Sequence, residues 1–462
     1  MPTSRAVIPA QLFIPGKSNP AIRVGFGDRV AVLGAFPTIS KTVVSVSSYS
    51  DAMELLNIKT GINDKYHTNN AQRNESQLNP TLDYFDGARA LKHLFRVGSA
   101  DNNVGEAIII NTSTDSTVCA SNDNTIKLLN GTLEFGNVEN SADATSRTQN
   151  GQTLTKLDYA LERLKEEEYD ILLLAFTPTA AQVTKLIEFC KNEYRRSNPI
   201  GIVYGYGTTP RPIVKPDENS SVVQTVINST KSASITAEEI TAIKQQLKLF
   251  EDATVEENHH HTLYALIPQS FKLTYENEYL SPMESAAYYC GVLASTRVDE
   301  SMTDDVIPNV EAVNEDLVYD KSSVMGGSTD GYDLVSKGCT MFKKTGRATG
   351  QVVCINSTLP GKNDRIYDIS HIRTAAYVIR KLNLREFFGE HENRVTLDAA
   401  LTKLTTIQAN LVNEFSDILY NISYSLQPHD NNCLDVYVQI ECYDVLLQEE
   451  IYVNEVILPW QI

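Results

Sequence analysis

Residues 171–176 read Ile-Leu-Leu-Leu-Ala-Phe, an unbroken apolar run. A short run without alternation is typical of a strand that is buried on both faces of a sheet. Apolar residues recur at helical spacing before it, over 154–164, and after it, over 183–194, and a second apolar run covers 200–204. Because strands joined through a helix by short loops lie parallel, residues 153–205 predict an α/β layer.

Similar patterns continue towards the N-terminus. We predict strands at 29–34 and 107–110, with helices at 49–57 and 81–96 between them. Residues 112–152 differ, being rich in Asn, Thr, Ser and Asp. Within them, the Asn-Gly step at 130–131 favours a tight turn, so that 126–135 predicts a hairpin in a small β insertion.

Towards the C-terminus the mixture of helices and strands goes on, with loops expected at 206–234 and 297–330. The predicted elements are a helix at 236–250, a strand at 263–267, a helix of small residues after Pro282, a helix near 331–337, strands at 339–344 and 351–356, and a half-buried strand over 434–442. Two amphipathic helices precede the last strand, one with Ile366, Ile369, Ile372, Ala376 and Ile379 on one face, and one with Leu397, Leu401, Leu404, Leu411, Phe415 and Ile418.

These patterns predict a mixed α/β (α+β) chain of several subdomains. The expected segments are an extended N-terminal arm (1–28), an α/β region (29–111), the small β insertion (112–152), a second α/β region (153–280), a C-terminal core (281–442) and a C-terminal β arm (443–462).

Charge and composition exclude some classes of function. The chain has 462 residues, with 40 Lys and Arg against 58 Asp and Glu, which gives a formal net charge of −18. An acidic surface disfavours direct nucleic-acid binding and adhesion to anionic membranes, and no apolar run is long enough to cross a bilayer. Seven scattered cysteines without a Cys-x-x-Cys pair, and a start without a secretory signal, predict a reduced cytoplasmic protein with no membrane insertion.

Patterns that could carry chemistry are weak. His259–His261 has consecutive histidines, which point to opposite faces of a strand, and it lacks the spacing of a metal site. The glycine-rich stretch 326–331 lacks the lysine of a phosphate loop, and Gly205-Tyr206-Gly207 does not open a helix. Glu166–Glu168 and Asp304-Asp305 are typical of solvated surfaces. We therefore predict no catalytic residue, no metal and no cofactor.

The two ends of the chain carry strand-like apolar runs that lie apart from the α/β body. Four prolines within residues 1–28 forbid a helix there. Such runs can add strands to the sheet of a neighbouring molecule, or they can pack within their own chain, and the pattern alone leaves both open. The candidate interaction residues are Val7, Ile8, Leu12, Phe13, Ile14, Ile451, Tyr452, Val453, Val456 and Ile457.

The order of several segments in the C-terminal half is informative. They are the proline-led helix at 281–294, the loop with Asp299, Ser301 and Thr303, the strand run at 352–358, and the stretches 368–373 and 387–393 at the two ends of a long helix. From about residue 155 onwards, and best over 280–395, this order resembles the tail sheath proteins of contractile phage tails and related injection systems. The order of 49–56, 82–95 and 107–110 is similar to the region before the family's variable insertion.

The resemblance implies a structural subunit, not an enzyme. Such subunits polymerise as stacked helical rings, expected to be hexameric, around a tail tube, and contraction drives the tube through the target cell envelope. Residues 1–28 and 443–462 would be arms that complete a β-sheet in adjacent subunits. The implied partners are copies of the chain, the tail tube protein, and the baseplate and tail terminator proteins, in a virion tail assembled in the host cytoplasm.

Two alternatives remain open from the sequence. The α/β layer at 153–205 also fits an enzyme or ligand-binding protein of unknown substrate. A non-contractile virion or baseplate protein would polymerise without contracting.

Overall fold

The computed structural model describes the main chain over part of the sequence. The described residues are 5–7, 29–34, 36, 42–55, 86–95, 104–112, 145–149, 152–196, 198–207, 214–216, 223–225, 235–256, 262–275, 279–314, 317, 330–344, 350–360, 366–381, 397–416, 419–429 and 433–442.

The strands of these ranges are short except for the last two. They are β1 (Arg5–Val7), β2 (Val30–Gly34), β3 (Val43–Val46), β4 (Ala107–Asn111), β5 (Thr145–Gln149), β6 (Gln152–Thr155), β7 (Ile171–Leu174), β8 (Gly201–Gly205), β9 (Val214–Pro216), β10 (Val223–Thr225), β11 (Leu263–Ile267), β12 (Phe271–Leu273), β13 (Val310–Val313), β14 (Met341–Lys344), β15 (Val352–Asn356), β16 (Thr358–Pro360), β17 (Ile366–Asp368), β18 (Leu419–His429) and β19 (Cys433–Cys442).

The helices alternate with the strands along most of the chain. They are α1 (Tyr49–Leu55), α2 (Asp86–Phe95), α3 (Lys156–Leu164), α4 (Ala180–Arg195), α5 (Ala237–Glu256), α6 (Pro282–Ser295), α7 (Asp330–Ser336), α8 (Ile369–Lys381) and α9 (Leu397–Glu414).

A six-stranded sheet of order β11-β8-β7-β2-β4-β3 forms the centre of the fold. Its strands are parallel except β3, which pairs antiparallel with β4 at one edge. The chain places β4 on one side of β2 and then β7 on the other. This reversal of direction is the mark of a doubly wound α/β sheet, and it confirms the α/β layer expected around residues 171–176.

Both faces of the sheet are covered, which explains why its strands are apolar throughout. Val30 and Val32 of β2 lie in the core with helices α2 and α6. Ala31 and Leu33 lie in the opposite core with α3, α4 and α5. All four side chains are 0% exposed. At about 25 cal/mol for each Å² of apolar surface removed from water, these two cores supply most of the driving force for folding.

Helix α6 is buried along its whole length. Its buried residues run from Pro282 to Ala294, and Ser281 and Glu284 form a capping box at its start. The Glu284 carboxylate also forms an ion pair with the guanidinium of Arg89 in α2 at 3.2 Å. Both side chains are almost fully buried. The pairing compensates two charges that would each be costly to bury alone, and it joins α6 to α2.

A smaller unit lies at the C-terminal end of the described chain. Five buried side chains form a separate apolar cluster. They are Val378 and Ile379 of α8, Leu411 of α9, Phe415 just after α9, and Ile422 of β18. β18 pairs antiparallel with β19 over their whole length, and β1 pairs antiparallel with the other edge of β19, which makes a three-stranded sheet of order β1-β19-β18. We call this unit the terminal sheet (β1, β18 and β19).

Several short elements differ from the sequence predictions. The expected loops contain the β9–β10 hairpin and the strand β13. Ile366 was predicted on a helix, but it lies in β17 opposite Pro360 of β16, and the helix begins at Ile369. These strands have three or four residues each, which is too short to leave a clear periodic signal, and the partner of β13 is also distant in sequence. β18 was not predicted either.

Other predictions fall outside the described residues. These are the hairpin at 126–135, the histidines 259–261, the glycine stretch before Asp330 and the helix-end stretch 387–393. A β5–β6 hairpin lies across residue 152, where we expected the β insertion to end. The segment limits stay predictions.

Candidate assembly site

The carboxyl edge of the central sheet is where doubly wound enzymes bind ligands, at the point where the strand order reverses. Here that point lies between β2 and β7. The buried side chain of Asn111 accepts a hydrogen bond from the Phe36 amide at 2.9 Å and donates one to the Phe36 carbonyl at 2.9 Å. An added Cβ at Gly34 would lie 2.8 Å from the Cβ of Ala175. These contacts pack the ends of β2, β4 and β7 closely against one another.

The glycine pair after β8 serves the packing of α6. A Cβ at Gly205 would lie 2.0 Å from the carbonyl oxygen of Pro282, the first residue of α6. Gly207 has a φ of 145° and also faces Pro282. These glycines let the helix approach the strand end closely, and nothing in this geometry cradles a phosphate.

The part of the chain that the structure describes offers little for metal or redox chemistry. No group of three or more His, Cys, Asp or Glu side chains within it could hold a metal ion. The thiols of Cys190, Cys290, Cys339 and Cys354 are buried and form no disulfide. Burial raises the pKa of the Cys354 thiol to about 12, and the nearby charge of Asp368 acts in the same direction. A thiol that stays protonated is a poor nucleophile. Among the described helices, none is long and apolar enough to cross a bilayer.

The densest polar cluster surrounds Asp368, which ends β17 just before α8. Its Oδ2 accepts hydrogen bonds from the hydroxyls of Ser301 at 2.7 Å, Ser357 at 2.8 Å and Thr303 at 3.3 Å. Its Oδ1 accepts from the hydroxyl of Ser370 at 2.6 Å and from the Ser370 amide at 2.8 Å. The carboxylate is 1% exposed, and its hydrogen bonds to these donors compensate for the loss of water.

Helix α8 is held to the body further along as well. The guanidinium of Arg373 donates to the carbonyl oxygens of Thr296 at 3.0 Å and Arg297 at 3.2 Å, just beyond the end of α6. The Thr374 hydroxyl donates to the carbonyl of Val298 at 3.3 Å. The loop after α6 is therefore attached to α8, and α8 shares the apolar cluster of the terminal sheet. Together these contacts form a mechanical connection between the body and that sheet.

We expect Asp368→Ala to lower the free energy of unfolding by about 3 kcal/mol, because several buried hydroxyls lose their acceptor. Chemical denaturation followed by circular dichroism measures the change. Asp252→Ala is the matched control, since Asp252 is 55% exposed and pairs with Lys248 four residues away; it should change stability by less than about 0.5 kcal/mol. Equal losses in the two variants would contradict this role for Asp368.

The terminal sheet brings one predicted interaction residue into a strand. In β1, Arg5, Ala6 and Val7 lie opposite Gln439, Val438 and Tyr437 of β19. The prediction that residues 434–442 form a strand is confirmed. The other candidate interaction residues lie outside the described residues: Ile8, Leu12, Phe13, Ile14, Ile451, Tyr452, Val453, Val456 and Ile457.

The described elements thus define a doubly wound α/β body with a helix-linked terminal sheet. Among solved structures, the chain is similar to the helical sheath of the anti-feeding prophage in its contracted state, with a TM-score of 0.50 and 12% identity over 96% of this chain and 98% of that chain. At this identity the match shows the fold, and the resemblance drawn from the sequence is confirmed at that level.

Two further solved structures are similar with lower scores. They are a sheath tail protein from Listeria innocua, with a TM-score of 0.48 and 10% identity over 90% of this chain and 96% of that chain, and one from Desulfitobacterium hafniense, with a TM-score of 0.46 and 10% identity over 94% and 100%. No family model matches the chain, and no curated protein matches it.

Three of the segments quoted for the resemblance meet in space. Ser301 and Thr303 from the loop, Ser357 from the end of the strand run, and Asp368 and Ser370 from the helix start form the single cluster described above. The sequence placed these residues in ordered segments but did not indicate that they are hydrogen bonded to one another. It missed β18, although Ile422, Tyr424 and Leu426 alternate with polar residues there, which is a usable strand signal.

Proposed function

We propose that this chain is the structural subunit of a contractile tail sheath and not an enzyme. The observation that carries the proposal is the fold similarity to the anti-feeding prophage sheath, which extends over nearly the whole of both chains.

In this proposal the arms at 1–28 and 443–462 are exchanged between subunits as β-strands. β1 pairs with β19 in its own chain through backbone contacts. The same pairing can be made by the β1 segment of a neighbouring copy, since exchange of an identical element preserves its hydrogen bonds at low cost. Repeated exchange would connect the subunits of stacked hexameric rings.

Contraction would then be a rigid-body rearrangement of the bodies about these arms. Subunits assemble around the tail tube in an extended lattice and move to a shorter, wider lattice of lower free energy. A gain on the order of a few kcal/mol per subunit suffices, because it is summed over the lattice. The tube, baseplate and tail terminator proteins are the further partners, in a virion tail assembled in the host cytoplasm.

Cysteine cross-linking tests the exchange directly. Ala6 lies opposite Val438, so cysteines at the two positions are close enough for a disulfide. Chains carrying only Ala6→Cys are mixed with chains carrying only Val438→Cys, assembled and oxidised. We expect a cross-linked dimer that joins one chain of each kind.

The control mixes Ala6→Cys chains with unmodified chains, which reports any linkage to the native cysteines of β19. A double variant with both cysteines shows whether the pair can form at all. If the double variant closes within one chain while the mixed singles stay monomeric in pelleted assemblies, the arms are not exchanged.

A further inference from the structure

The amino edge of the central sheet, opposite to the edge discussed above, holds a group of charged residues at the point where the N-terminal arm joins the body. Arg29 precedes β2, and its Nε binds the Oε2 of Glu106 at 3.1 Å. Its NH1 lies 3.9 Å from the Oε2 of Glu168. These side chains are between 30% and 47% exposed, so each pair alone is weak.

Asp170 contacts both the arm junction and helix α8. Its Oδ2 accepts a hydrogen bond from the amide of Arg29 at 2.9 Å, and its own amide donates to the Arg29 carbonyl at 2.9 Å. Its Oδ1 forms an ion pair with the NH1 of Arg380, in the last turn of α8. One carboxylate therefore binds, through different oxygens, the first body residue after the arm and the end of α8.

Arg380 is also attached to the body independently of Asp170. Its NH2 donates to the carbonyl of Pro199, just before β8. The next described helix after α8 is α9, which packs with α8 and β18 in the apolar cluster under the terminal sheet. β19 of that sheet is the strand that β1 pairs with. Asp170 thus links two parts of the chain. One is Arg29, where the arm starts, and the other is α8, which packs with α9 and β18 of the sheet that β1 joins.

We propose that Asp170 is a positioning residue for the N-terminal arm: it couples the arm junction at Arg29 to α8 and so fixes the direction in which the arm leaves the body. This inference deepens the proposed sheath function and rests on it for its effect on the lattice. The coupling itself is a property of the single chain. A substitution at Arg380 should therefore change the hydrogen-exchange rate of the Arg29 amide, although no contact between Arg380 and that amide is described.

Amide hydrogen exchange in the unassembled chain measures the coupling. We expect Arg380→Gln to speed exchange of the Arg29 amide about threefold, as for loss of a partly exposed ion pair. Asp170→Ala should speed it about tenfold, because the acceptor itself is removed. The Asp170→Ala/Arg380→Gln double variant should exchange no faster than Asp170→Ala alone, which is the signature of residues that act through each other.

Arg163→Gln is the matched control for Arg380→Gln, because it removes the same charge from a partly exposed ion pair, here with Glu166. It should leave the Arg29 amide at its normal rate. An unchanged Arg29 amide in Arg380→Gln overturns the proposal, even if Asp170→Ala does not fold. In assembled tubes, Arg380→Gln should change the helical twist between rings, whereas Arg163→Gln should not. Failure of the unmodified chain to form tubes, both alone and together with the tail tube protein, would reject the sheath function and leave the exchange result standing.

Discussion

A chain that lacks residues 1–28 should fold normally and remain unassembled at concentrations at which the full chain forms tubes. The body does not need the arm, because the described cores on both faces of the central sheet are built from residues after Arg29. The described part of the arm contributes only the three-residue pairing of β1 with β19. We expect the pelletable fraction in sedimentation to fall at least about tenfold, and thermal unfolding to shift by only a few degrees.

A chain with residues 1–28 in scrambled order is the control for this deletion, since it keeps the length, charge and proline content of the arm. It should also fail to assemble, because strand addition depends on the order of the side chains along the strand. Full assembly of the truncated chain would mean that residues 1–28 are not assembly elements.

Replacing Gly205 with alanine should cause a large loss of stability. The added Cβ would lie 2.0 Å from the carbonyl oxygen of Pro282 and 2.4 Å from the amide nitrogen of Met283. Both contacts are with backbone atoms of α6, whose residues are buried from Pro282 to Ala294. We expect the free energy of unfolding to fall by about 3 kcal/mol or more in chemical denaturation, or the chain to be recovered as aggregate.

Gly105→Ala is the matched control, because a Cβ at Gly105 meets no atom within 4 Å. It should change stability by less than about 1 kcal/mol. Similar stabilities of the two variants would show that α6 can shift away from β8, and would argue against a rigid connection between them.

The central sheet was predictable from the sequence because its strands are buried on both faces. Runs such as 107–110 and 171–176 carry no polar residue, which is typical of a strand between two layers of helices. The order of the strands was not predictable in this way. It depends on which strand pairs with β2, and the apolar runs are too alike to distinguish the partners.

The candidate site was predictable only in part. Ser301, Thr303, Ser357 and Asp368 were named as members of ordered segments, but their convergence on one carboxylate arises from pairings up to 67 residues apart. The sequence shows Asp170 only as a residue just before a strand, and the pattern around it does not indicate its contacts. Its partner Arg380 is distant in sequence, and single charged residues on a surface are too common to mark a contact.

The α/β topology on its own favours no function, since the same sheet carries enzymes and structural proteins alike. The enzyme hypothesis and the assembly hypothesis differ in what they predict at particular sites of the fold. The enzyme hypothesis predicts a ligand at the carboxyl edge of the sheet, whereas the assembly hypothesis predicts strand pairing such as that of β1 with β19. A non-contractile lattice protein would share the second feature, so the number of lattice states must decide between these two.

Electron cryo-microscopy of the purified full-length chain, alone and co-expressed with its tail tube protein, tests the sheath function most directly. The account predicts hollow tubes of stacked rings in two forms, one longer and narrower around the tube protein, and one shorter and wider. Tubes of one fixed geometry under all conditions would favour the non-contractile lattice protein. Discrete particles in both preparations would contradict the sheath function altogether.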